Sequence, residues 1–398
     1  MHLTDAARQA WPPFVLVTGL LLIAAAAHAD GLFEQAGRML ERLPGPPAVL
    51  FAGGMLVVLL VTAVLNLDTA VVFLTPVLVL AARRRKVDER PFLYAAVYMA
   101  NASSLYLPGS NLTNLLVLAH NRVPGGTFAA DLLAPALAAS LATAGGLCLL
   151  FRSSLRHGRH AGEQGQVRGA PPAVADGEIP PAVIHTPGPS VSVLRAPRLR
   201  APRLRAPRLR APRLRAPRLG AVAALAAAVL TVALKNPALP VVAVGVLAVA
   251  LHAARGRLAV GDVVRAVGPA VLVTLFLVSV ALGVLARSWT GPAQLLAGAG
   301  RWETAAIGSL TAIAVNNLPA AVLLSAHAAP HPRALLIGLD LGPNLAVTGS
   351  LCAYLWIRAA RGVRAAPSIL TFSRYGIPLA ALSILAALTA ASVLSAPS

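Results

Sequence analysis

Two aspartates stand inside long apolar stretches of this chain. Asp68 lies in LNLDTAVVFLTP (65–76) and Asp340 immediately precedes LGPNLAVTGS (341–350), whereas the other acidic residues lie in loops, at the edges of apolar stretches or in a basic segment. An ionised aspartate at the centre of a bilayer costs roughly 2.5–3.5 kcal/mol on insertion scales. Burial disfavours the charged form, so such a carboxyl could exchange a proton near neutral pH. Both aspartates are therefore candidate functional groups, although Asp68 could equally cap a helix and Asp340 could bond an unwound backbone.

Asparagine, glycine and proline interrupt the same apolar stretches in the same order in both halves of the chain. The first half has LNLDTAVVFLTP (65–76) and then LPGSNLTN (107–114); the second has AVNNLPAAVLL (314–324) and then LGPNLAVTGS (341–350). A broken helix in a bilayer leaves free N–H and C=O groups that only protein or a water-filled cavity can satisfy. Duplicated interruptions of this kind are typical of secondary transporters built from repeats. A proline kink packed between helices is the alternative for either segment alone.

The composition is that of an integral membrane protein. Of 398 residues, 57% are hydrophobic and 12% are charged, and the mean hydropathy is +0.73, whereas soluble domains are about a quarter charged. The apolar stretches predict an all-α polytopic fold of about ten to twelve membrane elements, the shorter of which would be half-helices or re-entrant segments. The first stretch is interpreted as a retained span and not a signal peptide. Cys148 and Cys352 lie in apolar surroundings and indicate neither a disulfide nor a thiolate metal site.

The net charge of +20 is concentrated in one segment. Residues 152–219 contain 14 arginines and three acids, and end in five tandem copies of RAPRL. We interpret this segment as a basic, proline-stiffened cytoplasmic linker that is expected to be disordered. We do not interpret it as a nucleic-acid site. It divides the chain into a first transmembrane repeat (1–151) and a second (220–398). The pattern NAS (101–103) matches a glycosylation acceptor but lies too near membrane depth to be modified.

The interrupted segments resemble a known family. NLDTAVVFLTPVLVLAARRR, MANASSLYLPGSNLTNLL, AVNNLPAAVLLSA and LDLGPNLAVTGSLCAYLW are similar, in the expected order, to the arsenical pump membrane proteins of the ion transporter superfamily. That superfamily also contains sodium-coupled dicarboxylate carriers and sodium/proton antiporters. The resemblance implies two inverted repeats with re-entrant hairpins and discontinuous helices. This chain departs from the family pattern at Leu67-Asp68-Thr69, where the family usually has Asn-Asp-Gly.

The resemblance also implies which residues face a transport site. Mapped onto this chain by motif, the candidate substrate- or ion-binding residues are Asn66, Asp68, Thr69, Ser110, Asn111, Thr113, Asn316, Asn317, Asp340, Asn344, Thr348 and Ser350.

The function expected from these observations is secondary active transport and not enzymatic catalysis. The leading hypothesis, implied by the resemblance, is proton-coupled efflux of arsenite or antimonite across a bacterial cytoplasmic membrane. The polar clusters contain no lysine or arginine, which suits an uncharged or cationic solute better than a dicarboxylate. The alternative is a sodium/proton antiporter or a sodium-coupled carrier of small carboxylates on the same fold. No cofactor is expected besides a coupling ion, H⁺ or Na⁺. The candidate partners are membrane lipid, a small solute, a cytoplasmic ATPase subunit and a second copy of the chain, and nucleic acid is not among them.

Overall fold

Residues 2–121, 124–156 and 219–394 are described by the structure, which is a computed structural model. They form helices and connecting loops, and no strand occurs within these three ranges. The helices of the first half are α1 (His2–Ala29), α2 (Leu32–Arg42), α3 (Pro47–Val64), α4 (Leu67–Arg84), α5 (Arg90–Ser103), α6 (Leu112–Asn121), α7 (Gly125–Leu150) and α8 (Arg152–Arg156). Those of the second half are α9 (Leu219–Ala233), α10 (Ala238–Ala254), α11 (Val260–Val267), α12 (Pro269–Ser288), α13 (Gly291–Ala297), α14 (Arg301–Val315), α15 (Asn317–Ser325), α16 (Pro332–Leu341), α17 (Leu351–Gly362) and α18 (Ile369–Leu394).

Five stretches of helix are long and apolar enough to cross a bilayer. They are Leu3–Ala29, Pro47–Val64, Gly125–Leu150, Val260–Ser288 and Ile369–Val393. Two shorter apolar helices, Leu219–Ala233 and Ala238–Ala254, accompany them. The other membrane elements are shorter because the chain breaks them where asparagine, glycine and proline occur. The prediction of an all-α polytopic fold with interrupted helices is confirmed.

Helices α3 and α4 form a hairpin that opens toward one face of the protein. The chain breaks at Asn66, whose side-chain oxygen accepts the Thr69 N–H at 2.7 Å and so caps α4. At the other end of α4, Arg85 donates to Leu43 O at 2.8 Å and to Gly45 O at 3.1 Å, just before α3 begins. Both outer ends of the hairpin therefore lie together. We call this side, where α4 ends in Arg83, Arg84 and Arg85, the basic face.

The second hairpin, formed by α14 and α15, opens toward the other side. Helix α7 ends near the basic face, because Ser154 just beyond it donates to Asp88 at 2.8 Å, beside the start of α5. Its 26 residues span about 39 Å, so its first turn lies on the opposite face. There Asp131 pairs with Arg333, at the start of α16, at 2.7 Å. Helix α15 leads into α16 and therefore also ends at the opposite face.

The hairpin tip between α14 and α15 is held by an unusual backbone conformation. Asn316 has a φ of 77°, in the left-handed region that asparagine tolerates better than most residues. Its side-chain oxygen accepts the Leu318 N–H at 3.4 Å. Helix α15 has only nine residues, about 14 Å, which is too short to cross a bilayer. The second hairpin is therefore re-entrant.

Two discontinuous helices run in opposite directions. Helix α5 starts at the basic face and continues, after a 3₁₀ turn at Pro108–Ser110, into α6 toward the opposite face. Helix α16 starts at the opposite face and continues, after 3₁₀ turns at Gly342–Asn344 and Val347–Gly349, into α17. Helix α17 ends at the basic face, where Arg83 donates to Val363 O at 2.5 Å. This antiparallel arrangement is the mark of an inverted repeat.

Packing between the halves is reciprocal. Helix α4 of the first hairpin packs on α17, and α15 of the second hairpin packs on α6, while α7 and α18 pack along each other. Each hairpin thus lies against the second half-helix of the other repeat. The described helices on both sides of residues 157–218 form one unit, so the predicted repeats interlock. The predicted linker covers 152–219; its first residues form α8 and Leu219 begins α9, whereas 157–218 lie outside the described residues and their disorder stays a prediction.

Candidate functional site

The two helix breaks meet at Asp340. This residue lies in the last turn of α16 and is only 1% exposed. Its Oδ1 accepts a hydrogen bond from Asn111 Nδ2 at 2.8 Å, and its Oδ2 lies 2.7 Å from Ser104 Oγ. Asn111 and Ser104 both belong to the α5–α6 break of the first half. Residues from the two repeats therefore share one buried site.

Amide side chains extend this contact into a network. Asn101 Nδ2 donates to Asn344 Oδ1 at 2.7 Å, and Asn114 Nδ2 donates to the backbone oxygen of Ser104 at 2.7 Å. All members of the network are at most 4% exposed. We call Asn101, Ser104, Asn111, Asn114, Asp340 and Asn344 the central polar cluster.

Several polar atoms in and beside the central polar cluster are buried without a partner. Among the described residues, Asn344 Nδ2 and Asn114 Oδ1 make no hydrogen bond, and neither does the neighbouring Ser103 Oγ. Leaving a buried polar group unpaired costs about 1–3 kcal/mol. The cluster thus retains at least one donor and one acceptor that a small hydroxylated or carboxylated solute, or water, could satisfy.

Asp68 lies apart from this cluster, at the tip of the first hairpin. It occupies the first turn of α4 and is partly buried. No hydrogen bond or ion pair to its carboxylate occurs within the described ranges. It lies close enough to Cys352, in the first turn of α17, to act on it electrostatically. A negative charge near the N-terminus of a helix is favourable, so the second break provides a suitable environment for Asp68.

Hydroxyl groups attach each break to the hairpin of its own repeat. Ser110 donates to Ala63 O at 3.1 Å, and Thr348 donates to Ile313 O at 3.0 Å. Ala63 and Ile313 each lie three residues before the asparagine at the hairpin tip. Asn316 adds a bond from its Nδ2 to Thr348 O at 3.2 Å. These contacts stabilise the unwound segments at matching places in the two repeats.

The predicted site residues therefore fall into three groups. Asn111, Asp340 and Asn344 come together in the central polar cluster. The residues that cap helices or attach a break to a hairpin are Asn66, Ser110, Asn316, Thr348 and Ser350, the last through its Oγ and the Cys352 N–H at 3.1 Å. The remaining four are Asp68, Thr69, Thr113 and Asn317, which are buried or partly buried at a hairpin tip or a helix start. A direct binding role for any of them stays a prediction.

Sequence reasoning missed Asn101, Ser104 and Asn114. Asn101 begins the NAS pattern that matches a glycosylation acceptor, and its amide instead bonds Asn344. Asn114 follows Asn111 by three residues, a spacing that places two side chains on one face of a helix. That spacing was a usable signal for Asn114. No comparable signal in the sequence indicated Ser104, because its role depends on how α5 packs against α16.

The electrostatics of the central polar cluster are set by one carboxyl group. The hydrogen bonds of the cluster involve no lysine, arginine or histidine among the described residues, and no group of three or more metal-ligating side chains occurs there either. Helix α6 begins directly after Asn111, whose Oδ1 accepts the Thr113 N–H at 3.1 Å. The partial positive charge of that helix start faces the cluster and can attract an anionic group.

Inverted repeats whose broken helices meet in a buried polar cluster define the class of secondary membrane transporters. The chain matches the family model described as citrate transporter (CitMHS) over residues 6–357 and belongs to that family. Among solved structures, the YdaH transporter of Alcanivorax borkumensis, whose crystal structure is described as showing an unusual topology, has a similar fold. It aligns with a TM-score of 0.57 and 14% identity, covering 99% of this chain and 87% of that chain. No curated protein matches the sequence.

These comparisons confirm a multi-pass membrane transporter and not an enzyme class. The resemblance to arsenical pumps is confirmed only at that level, since the matching family is the citrate transporters. Of the functions expected from the sequence, the alternative that names a carrier of small carboxylates is closer to this family than arsenite efflux is.

Proposed function

We propose that this protein carries a small carboxylate across the membrane and that the solute binds at the central polar cluster. The contact between Asn111 and Asp340 carries the proposal, because it places the breaks of both repeats around one buried site. The unpaired Asn344 Nδ2 supplies a donor for a carboxylate oxygen, and the N-terminus of α6 supplies partial positive charge. The family to which the chain belongs supports this class of solute.

The coupling ion in this proposal is the proton. Ser104 Oγ lies 2.7 Å from Asn101 O and 2.7 Å from Asp340 Oδ2, but a serine has a single hydroxyl hydrogen. Both contacts are hydrogen bonds when Ser104 donates to Asn101 O and a protonated Asp340 donates to Ser104. With an ionised Asp340, one of the two short contacts would bring unprotonated oxygens together. A buried carboxyl without a cation also favours its neutral form.

Transport by the purified protein in proteoliposomes tests this function. We expect radiolabelled citrate to accumulate under an imposed pH gradient and not under a sodium gradient at equal pH. Asp340→Asn should abolish the response to the pH gradient, while Asp262→Asn, an exposed acid on α11, should behave as the unmodified protein. Accumulation driven by sodium alone would contradict proton coupling. The absence of uptake for citrate and for simpler di- and tricarboxylates would contradict a carboxylate carrier.

Arsenite or antimonite efflux is the second candidate. The lack of a basic side chain among the contacts of the central polar cluster favours a neutral trihydroxy solute such as As(OH)₃. The same proteoliposomes, loaded with arsenite, distinguish the two: proton-driven arsenite movement without citrate movement would select this candidate. Because only the purified chain is present, transport in this assay also shows whether a separate ATPase subunit is required.

The orientation that we propose places the basic face in the cytoplasm of a bacterial cell. Arginine and lysine beside span ends mark cytoplasmic loops. The segment Arg83–Lys86 ends α4 on this face, and the α17–α18 connection contributes Arg361 and Arg364. The opposite face would then open to the outside of the inner membrane. A cysteine introduced at Lys86 should be labelled by an impermeant thiol reagent only after the cells are permeabilised, with Cys148 and Cys352 replaced.

A further inference from the structure

Helices α6, α7 and α16 line a cavity at the opposite face. Its volume is about 180 Å³, smaller than the pockets of roughly 300–1,000 Å³ that hold drug-sized ligands. Most of its lining is apolar, and among the described residues the ionisable ones that line it are Asp131 and Arg333. A cavity of this size and lining suits a small acid.

The cavity lies one helical turn from the central polar cluster. Leu118, in its lining, follows Asn114 by four residues on α6, and Leu336 precedes Asp340 by four residues on α16. Four residues of helix correspond to about 6 Å along the axis. Leu118 and Leu336 are 8% and 4% exposed, so they separate the cavity from the cluster in this conformation. The cavity is thus positioned as a vestibule on the path from the opposite face.

The contact between Arg333 and Asp131 uses only one of the two carboxylate oxygens of Asp131. Both Arg333 Nη2, at 2.7 Å, and Arg333 Nε, at 3.1 Å, contact the same oxygen, Oδ2. An arginine binds a free carboxylate best through two parallel hydrogen bonds to two different oxygens. The Arg333 and Asp131 side chains are 44% and 28% exposed, so a solute can reach them. A carboxylate in the vestibule could therefore replace Asp131 with better geometry.

We propose that Arg333 is an outer binding site for the carboxylate group of the transported solute and that Asp131 is a built-in competitor for that site. Arg333 captures the anion in the vestibule, and Asp131 reclaims Arg333 when the solute moves on to the central polar cluster. This inference rests on the proposed function. It accounts for how a protein whose central cluster has no basic contact attracts an anionic solute.

Two substitutions that remove the same ion pair give opposite results under this proposal. Arg333→Gln should raise the KM for citrate about tenfold or more, because a charged hydrogen-bonding partner is lost, with a smaller effect on kcat. Asp131→Asn should lower the KM, because Arg333 is released from its competitor. Arg333→Lys should give an intermediate KM, since it keeps the charge but not the fork. Arg301→Gln, an exposed arginine at the start of α14 on the same face, controls for general surface charge.

The measurement is the initial rate of citrate uptake against concentration in proteoliposomes, with thermal stability in detergent measured for every variant. If the ion pair is only structural, Arg333→Gln and Asp131→Asn will change stability and transport in the same direction, and the proposal is overturned. A raised KM for Arg301→Gln equal to that for Arg333→Gln would also overturn it. If the unmodified protein transports no carboxylate, the proposed function itself fails, which is a separate and recognisable result.

Discussion

The Asn111 amide donates a hydrogen bond to the Asp340 carboxyl over 2.8 Å, although the two residues lie 229 positions apart in the sequence. Asn111 precedes α6 in the first repeat and Asp340 ends α16 in the second. Because both helices are interrupted at this point, the bond depends on the relative position of the two breaks. If one repeat moves relative to the other during transport, either this bond must break or both residues must move together.

Replacing Asn111 by serine separates its two roles. Serine caps a helix about as well as asparagine, so it can keep accepting the Thr113 N–H. It cannot reach across to Asp340 as the amide does. We therefore expect Asn111→Ser to keep the α6 cap, to lose about 1–3 kcal/mol of stability because Asp340 Oδ1 loses its buried donor, and to lose about ten- to a hundredfold in transport rate, measured in proteoliposomes.

The matching cap of the second repeat provides the control. Ser350 accepts the Cys352 N–H before α17, a bond that stays within its own repeat. Ser350→Asn should preserve that cap and leave transport much closer to normal than Asn111→Ser does. Equal transport by the two variants would contradict a functional role for the Asn111–Asp340 bond.

The sequence predicted the duplicated breaks well because each break depends on local residues. Glycine, proline and asparagine stop a helix wherever it is placed, so the interruptions around Asn111 and Asn344 were visible in the chain. Their meeting point also followed, since free backbone groups in a bilayer must be enclosed by protein. Asp340 was singled out as an acidic residue beside such a break, whereas Asn111 and Asn344 were implied by the resemblance to a known family.

The rest of the site depends on packing that no local pattern encodes. Whether Asn101 faces the cluster or lipid is decided by how α5 meets the second break, and Ser104 acquires its role only from Asp340. The solute was also beyond the sequence pattern, because one scaffold serves chemically different cargoes. The family match is one of the observations on which the proposed carboxylate solute rests.

Asp68 is expected to matter for transport more than for stability. Its carboxylate has no hydrogen-bonding partner in the described part of the chain, whereas Asp340 has two. Asp68→Asn should therefore change the unfolding free energy by less than about 1 kcal/mol while strongly reducing pH-driven uptake. Asp340→Ala, in contrast, should lower stability by about 1–3 kcal/mol, because it leaves the buried Asn111 amide without its acceptor and removes one of the two contacts of Ser104.

Thermal unfolding in detergent and uptake in proteoliposomes, measured on the same preparations, compare the two variants. Normal uptake by Asp68→Asn would remove this residue from the mechanism. The N-cap of α4 is Asn66 and not Asp68, the alternative considered from the sequence, so a large loss of stability would instead show another structural role for Asp68 in the first turn of α4.

Gly376 on α18 leaves room for the second break. A Cβ atom at this position would lie 1.7 Å from Asn344 O, far inside van der Waals contact. Gly376→Ala should therefore displace Asn344, break its bond with Asn101 and abolish transport, with a loss of about 1–3 kcal/mol in stability. Gly145→Ala on α7 is the matched control, because nothing lies within 4 Å of its added Cβ. Transport by Gly376→Ala at the control's level would contradict a role for the Asn344 position.

A buried contact between Asp30 and His252 stabilises the junction of α1, α9 and α10. Asp30, just after α1, has its Oδ1 2.9 Å from His252 Nε2, and its Oδ2 accepts the Gly220 N–H at 2.8 Å. His252 on α10 is 0% exposed, and its Nδ1 lies 2.8 Å from Ala248 O. Three helices thus converge on one carboxylate. Removing one partner of such a buried pair costs about 3–5 kcal/mol.

Asp30→Ala should therefore lower the unfolding free energy by about that amount, since it leaves His252 Nε2 and the Gly220 N–H without an acceptor. Asp262→Ala removes an exposed carboxylate that pairs with Arg265 and should cost only about 0–1 kcal/mol. Thermal or denaturant unfolding in detergent measures both. If Asp30→Ala were as mild as Asp262→Ala, solvent or another acceptor would have to satisfy the His252 Nε2–H. The junction of α1, α9 and α10 would then not depend on this carboxylate.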